Sequence, residues 1–205
     1  MAVAPPTLYY VYDPMCSWCW GFRPTWEKTK KQLEGQIDIH YILGGLAQDT
    51  DKPMSVQMQQ QIVSHWHKIA DYLGTEFNFE FWSKNTPRRS TYPACRAIIA
   101  ARNQNAEADM YHALQKAYYL EAKNPSDIAV LVDTAKFIGL NVNQFEADLL
   151  SDVTNDRLNK ELAFARSIGG NSFPSLILRK QGQLIDIPID YQNPSRLVNI
   201  INAKL

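Results

Sequence analysis

Cysteine is scarce in this chain of 205 residues, which carries only Cys16, Cys19 and Cys95. Three thiols are too few for the disulfide framework that holds small secreted domains together. An excess of charge of one sign is also absent, with 21 Lys plus Arg against 21 Asp plus Glu. That balance argues against a nucleic-acid binder or a polybasic membrane anchor. No apolar run approaches the roughly 20 residues that a membrane-spanning helix needs. The opening Met1-Ala2-Val3-Ala4-Pro5-Pro6 has no basic stretch leading into an apolar one, so no secretory leader is expected. No internal repeat or low-complexity tract stands out. These absences leave a cytoplasmic protein as the expectation, with neither nucleic acid nor membrane as partner. What is present is 45% hydrophobic residues, enough for a sizeable core in one domain or one domain with a large insertion.

Thr7-Leu8-Tyr9-Tyr10-Val11-Tyr12 is aromatic and β-branched, too short for a buried helix, and stops at Asp13-Pro14, as a strand would. Cys16 and Cys19 follow at once, then a helix-like stretch from about Trp20 to Glu34, halted by Gly35. A second strand is expected over Ile37–Leu43, closed by Gly44-Gly45. Beyond it the pattern changes. Met54, Met58, Ile62, Trp66, Ile69 and Leu73 recur at spacings of three and four, which predicts an amphipathic helix ending at Gly74. Further helices are expected over Ala94–Arg102, Ala106–Glu121, from Asn124-Pro125-Ser126-Asp127 to Gly139, over Asn143–Leu150 and over Thr154–Ile168. The chain closes with a strand at Ser175–Leu178, a turn, a hairpin partner at Leu184–Ile187 and a helix from Pro194. A β-α-β opening and a β-β-α close make one sheet if the two ends meet. The expected fold class is therefore α/β, with residues 1–47 and 151–205 as one domain and 48–150 as an inserted helical domain.

The spacing Cys16-Ser17-Trp18-Cys19 places two thiols one helical turn apart where a strand hands over to a helix. A thiol attacks only as the thiolate, and a helix N-terminus favours an anion, so Cys16 is expected to be the attacking sulfur. Cys19 is then near enough to resolve a mixed disulfide, and those two roles suffice for disulfide exchange. Three other readings fit a C-x-x-C. Half of a zinc site is one, but a second cysteine pair is missing and His65 and His67 lie two apart on a helix, so no metal is expected. A pair of inert buried thiols is another, and a redox-sensing disulfide without turnover is the third.

Asp13-Pro14-Met15-Cys16-Ser17-Trp18-Cys19-Trp20-Gly21-Phe22 resembles the active-site stretch of the DsbA-like branch of the thioredoxin superfamily. Pro24 stands at the offset of the helix proline of thioredoxins. Gly169-Gly170-Asn171-Ser172-Phe173-Pro174-Ser175-Leu176 is similar to the segment carrying that superfamily's cis-proline, which makes Pro174 the match. This resemblance implies a thioredoxin fold with a large all-helical insertion between the β-α-β and β-β-α halves. It implies thiol–disulfide oxidoreductase activity of the protein-disulfide oxidoreductase or isomerase type, with catalytic Cys16 and Cys19. Phe173, Pro174 and Trp18 would contact substrate, and Ser17 would tune the thiols. C-S-W-C-W-G-F followed later by Gly44-Gly45-Leu46 is most similar to cytoplasmic members. Two departures stand out. Ser17-Trp18 replaces the Pro-His of periplasmic DsbA proteins, so their extreme thiol acidity is not implied. Phe173 replaces a small polar or β-branched residue, which points to a more apolar substrate groove.

The expected partners are protein or small-molecule thiols and disulfides. No tightly bound cofactor is expected beyond the redox-active cysteine pair itself, with glutathione as a candidate co-substrate. The same architecture hosts glutathione-dependent transferases and isomerases in which a serine activates glutathione; Ser17 keeps that alternative open, while the cysteine pair counts against it. A redox-sensing interaction protein is the other alternative. Cys95 reads as a buried small hydrophobe, His40 and His112 as core or surface residues. Trp20, Phe22 and Trp26 read mostly as core, Trp18 as exposed, and Arg88-Arg89 as solvated surface unless near the thiols, where it could hold glutathione carboxylates.

Overall fold

The computed structural model describes residues 5–205. The segment read above for a leader lies largely outside them. Among the described residues the chain forms four strands and nine helices. It divides into two compact units, one running up to Gly44 and resuming over Glu161–Leu205, the other spanning Gly45–Lys160.

The first unit is built on a strand that is buried at every position, β1 (Thr7–Tyr12). A strand with both faces covered has no room for polar alternation, and TLYYVY accordingly has none. β2 (Asp38–Leu43) pairs parallel to β1, β3 (Ser175–Lys180) antiparallel to it, and β4 (Gln183–Ile187) antiparallel to β3, giving the order β2-β1-β3-β4. On one face of the sheet, Tyr9, Val11 and Ile177 pack with Ala165 and Ile168, and Ile42 and Phe173 cover their edge. On the other, Tyr10 stacks on Trp26 of α1 (Ser17–Gln32), ring centroids 4.8 Å apart. The Trp26 indole N–H donates to the Tyr41 hydroxyl at 2.8 Å, so the largest side chain of this core is polar-satisfied as well as buried. α9 (Pro194–Asn202) packs beside α1, its Arg196 N–H capped by the Asn193 side chain.

The second unit is helical: α2 (Val56–Leu73), α3 (Phe81–Lys84), α4 (Tyr92–Arg102), α5 (Glu107–Tyr119), α6 (Ile128–Phe137) and α7 (Val142–Leu149), with α8 (Asp152–Ser167) divided between the units. The periodicity from Met54 onward gives α2, capped by Ser55 and ended by Gly74 at φ 69°. α4 is buried nearly all round, as its alanines require. Trp66 is fully buried among Phe77, Phe79, Phe81, Trp82, Tyr118 and Tyr119. Cys95 is fully buried here too.

Three local expectations need correction. Helix α1 begins at Ser17, three residues earlier than the apolar pattern suggests, because Cys16 takes the N-cap position without the capping side chain that marks such a start. Asn124-Pro125-Ser126-Asp127 does not open a helix at Pro125. Asn124 instead accepts the Ser126 N–H in a turn of its own, the Asp127 carboxylate is taken by Arg88, and α6 starts only at Ile128. Arg88 is accordingly a half-buried structural cation, bonded to the Ser126 carbonyl and Asp127, and not solvated surface.

Candidate redox site

β1 ends at Tyr12, and the chain turns once before entering α1. That turn is made by Asp13, a fully buried carboxylate whose Oδ1 accepts the Met15 N–H at 2.8 Å and whose carbonyl accepts the Cys16 N–H at 3.1 Å. Asp13 was legible only as a strand-stop beside Pro14; its part in folding the thiol loop depends on burial that no local pattern announces. Cys16 then stands at the helix N-cap in extended backbone, and its carbonyl accepts the Trp20 N–H. Cys19 lies in the first turn of α1.

The two sulfurs differ in surroundings. Cys19 is entirely buried, and burial pushes its thiol well above the ordinary cysteine range. A hydrogen bond with Cys16 and the charge of Cys16 raise it further. A backbone hydrogen bond from Asp13 opposes them, and the Asp13 charge adds a smaller upward push. Cys16, nearer the surface, donates from Sγ to the Phe173 carbonyl at 3.3 Å. The thiols and that carbonyl thus form a short chain running from the buried sulfur outward. A thiol held protonated in the interior beside a second, outer thiol is an arrangement suited to attack by the outer sulfur and later resolution by the inner one.

Phe173 and Pro174 reach this place through β3. In the β1–β3 register Val11 faces Ser175, so the residues just before β3 lie beside those just after β1. The Phe173–Pro174 bond is cis. Ser175 Oγ donates to the Ser172 carbonyl and closes the turn. Ser17 is half-buried at the start of α1. Trp18, expected to be exposed, is half-buried too, because Tyr191 of the β4–α9 loop sets its ring edge-on against it, centroids 5.2 Å apart. The Tyr191 carbonyl accepts the Thr25 hydroxyl at 2.6 Å, and the Asp190 carboxylate, held below its usual range chiefly by the Gln192 N–H, folds the same loop. Tyr191 is a neighbour of the motif that sequence reading missed: it is more than 170 residues away in the chain, with no flanking signal. Of the other aromatics, Phe22 and Trp26 are core, while Trp20 is half-buried. Among the described residues, no three of His, Cys, Asp and Glu converge as a metal ligand set.

A family profile described as Thioredoxin matches residues 9–185. The chain belongs to the thioredoxin family. Within it, the fold is that of the DsbA-like oxidoreductases. A candidate protein disulfide isomerase from Nitrosomonas europaea superposes with a TM-score of 0.85 at 26% identity, covering 98% of this chain and 97% of that one. The cytosolic disulfide reductase DsbM from Pseudomonas aeruginosa gives 0.77 at 22%, covering 97% and 98%, and the same reductase with GSH also gives 0.77. Among curated relatives, the ClpXP adapter protein SpxH of Halalkalibacterium halodurans is 24% identical over 84% of this chain. The chain spans 58% of the length of the curated relatives it matches. No helix among the described residues is long and apolar enough to cross a membrane.

Proposed function

We propose that this thioredoxin-family protein is a thiol–disulfide oxidoreductase acting through Cys16 and Cys19. The observation that carries this reading is the asymmetry of the pair: Cys16 at the helix N-cap against a chain carbonyl, Cys19 fully buried and held protonated beneath it. In the reductive direction Cys16 attacks one sulfur of a substrate disulfide. That S–S bond breaks, a Cys16–substrate disulfide forms, and the departing sulfur takes a proton. Cys19 then gives up its proton and attacks Cys16, releasing the second substrate thiol and leaving the Cys16–Cys19 disulfide. The backbone of Phe173, ahead of Pro174, offers an extended substrate a short edge to pair with, and Trp18 gives it an aromatic contact. Ser17 tunes the pair from between the cysteines. The substrates in this reading are protein or small-molecule thiols and disulfides, with glutathione as the small thiol that returns the pair to its reduced state; GSH is present in one structure of the DsbM reductase.

Insulin-disulfide reduction with glutathione as electron donor tests it. Turnover should be lost in Cys16→Ser, while Cys19→Ser should accumulate mixed disulfides visible by mass spectrometry. Adducts on Cys16→Ser and none on Cys19→Ser would reverse the two roles.

The likeness to proteins named as ClpXP adapters favours a second reading, a protein-binding module whose Cys16–Cys19 bond is a switch. Insulin turnover separates the two, because a switch binds its partner in a redox-dependent way without catalysing exchange.

A further inference from the structure

Gly44 follows β2, and its N–H donates to the Tyr12 carbonyl at 2.7 Å, which extends the β1–β2 ladder by one residue past Leu43. Its backbone is not in the left-handed region, so an alanine could adopt the same conformation. Its neighbour Gly45, at φ 64°, is glycine for conformational reasons. What Gly44 lacks is space. A Cβ placed there would sit 1.8 Å from Cε1 of Phe173 and 2.4 Å from Cζ. The ring of Phe173 therefore lies flush on the Gly44 backbone while packing with Ile42 against Tyr9, Val11 and Ile177. The same residue's carbonyl accepts the Cys16 thiol.

We infer that Gly44 is a positioning residue for Cys16: by giving up its side chain it seats the Phe173 ring, and the seated ring holds the Phe173 carbonyl on the Cys16 sulfur. The inference rests on the reading of Cys16 as the attacking thiol. The ring is partly buried, with its inner side set against Tyr9, Val11 and Ile177. A methyl at position 44 would displace the ring, and in this proposal the backbone of residue 173 shifts with it and draws the carbonyl off the Cys16 sulfur. A carbonyl oxygen opposes negative charge growing on the sulfur beside it, so its withdrawal should speed reaction of Cys16 with an electrophile.

The test is iodoacetamide labelling of reduced protein at pH 6, with peptide mapping of Cys16, in wild type, Gly44→Ala, Phe173→Ala and the double variant. Gly44→Ala should raise the Cys16 rate by about two- to tenfold, the equivalent of one neutral hydrogen bond. Phe173→Ala removes the ring that holds the carbonyl, so it should raise the Cys16 rate as well, and a methyl added at position 44 should then change nothing further: the double variant should match Phe173→Ala. The double variant also answers the case in which Gly44→Ala does not fold: recovery of folded protein supports the inference, and a double variant that stays unfolded, or whose Cys16 rate differs from that of Phe173→Ala, overturns it. An unchanged Cys16 rate in folded Gly44→Ala overturns it as well. Insulin turnover measured alongside keeps the two readings apart: absence of turnover in wild type removes the oxidoreductase reading and leaves the labelling comparison intact.

Discussion

Each unit of the molecule is centred on a buried tryptophan, and the two are treated differently. Trp26 in the sheet unit donates its indole N–H to Tyr41 and stacks on Tyr10, with the ring planes 20° apart. Trp66 in the helical unit is surrounded by six aromatic rings, and its indole nitrogen is buried without a hydrogen-bond partner. A directional bond fixes where a ring sits, whereas a ring packed only by rings is held by volume. The helix that carries Trp26 also carries Cys16 at its cap and Cys19 in its first turn, so a polar contact pins the helix on which the proposed chemistry would depend. The Trp66 cluster has only to be dense.

The hardest way to break this comparison is to cut chemistry from stability. Cys16→Ser should reduce insulin turnover to the uncatalysed background while leaving the thermal midpoint nearly unchanged. Trp66→Ala should do the opposite. Truncating a buried tryptophan costs about 3–5 kcal/mol, so its urea midpoint should fall sharply, while Cys16 labelling of the folded fraction stays as in wild type. A Trp66→Ala protein of wild-type stability would show that the aromatic cluster is not the core of its unit.

Trp→Phe at each centre sharpens the contrast, because the two substitutions remove the same atoms. Trp26→Phe also takes one donor from the Tyr41 hydroxyl, leaving it only Lys30, and so should cost about 1 kcal/mol more than Trp66→Phe in chemical denaturation. Equal losses would mean the Trp26–Tyr41 bond adds nothing net.

The smallest effect concerns pH. Burial raises the Cys19 thiol, so the folded protein keeps a proton that the unfolded chain releases. This part of the stability is whole below the ordinary thiol value of about 8.5 and drains away as pH rises above it. The thermal midpoint of the reduced protein should fall between pH 8 and 10, and Cys19→Ala should flatten that fall. Tyr41, also raised chiefly by burial, adds a loss of the same sign at higher pH that both proteins share.

What could be read from the sequence was what local physics writes down. β1 is a run of β-branched and aromatic residues between turn formers, and it lies where that run does. The period of α2 and the hairpin of β3 and β4 are equally local, and the C-x-x-C stands at a strand-to-helix junction that the flanking patterns announce. The start of α1 was misplaced because Cys16 is not a capping residue type. The Asn124–Asp127 turn was misread because the partner that takes Asp127, Arg88, lies 39 residues upstream. Tyr191 on Trp18 and Gly44 under Phe173 left no trace, since each is a contact between segments remote in the chain and neither alters the periodicity of its own.

The antiparallel register of β1 and β3 brings Phe173 to Cys16 across a separation of 157 residues. A ribosome adds about 5–20 residues per second, so the Cys16 thiol is synthesised roughly 8–30 s before the carbonyl that receives it. Through that interval the nascent chain carries Cys16 and Cys19 with no third strand to cover them. The pair is thus at its most open to passing electrophiles and disulfides at the birth of the protein, and the last strands to emerge close over a thiol that has had to survive until then.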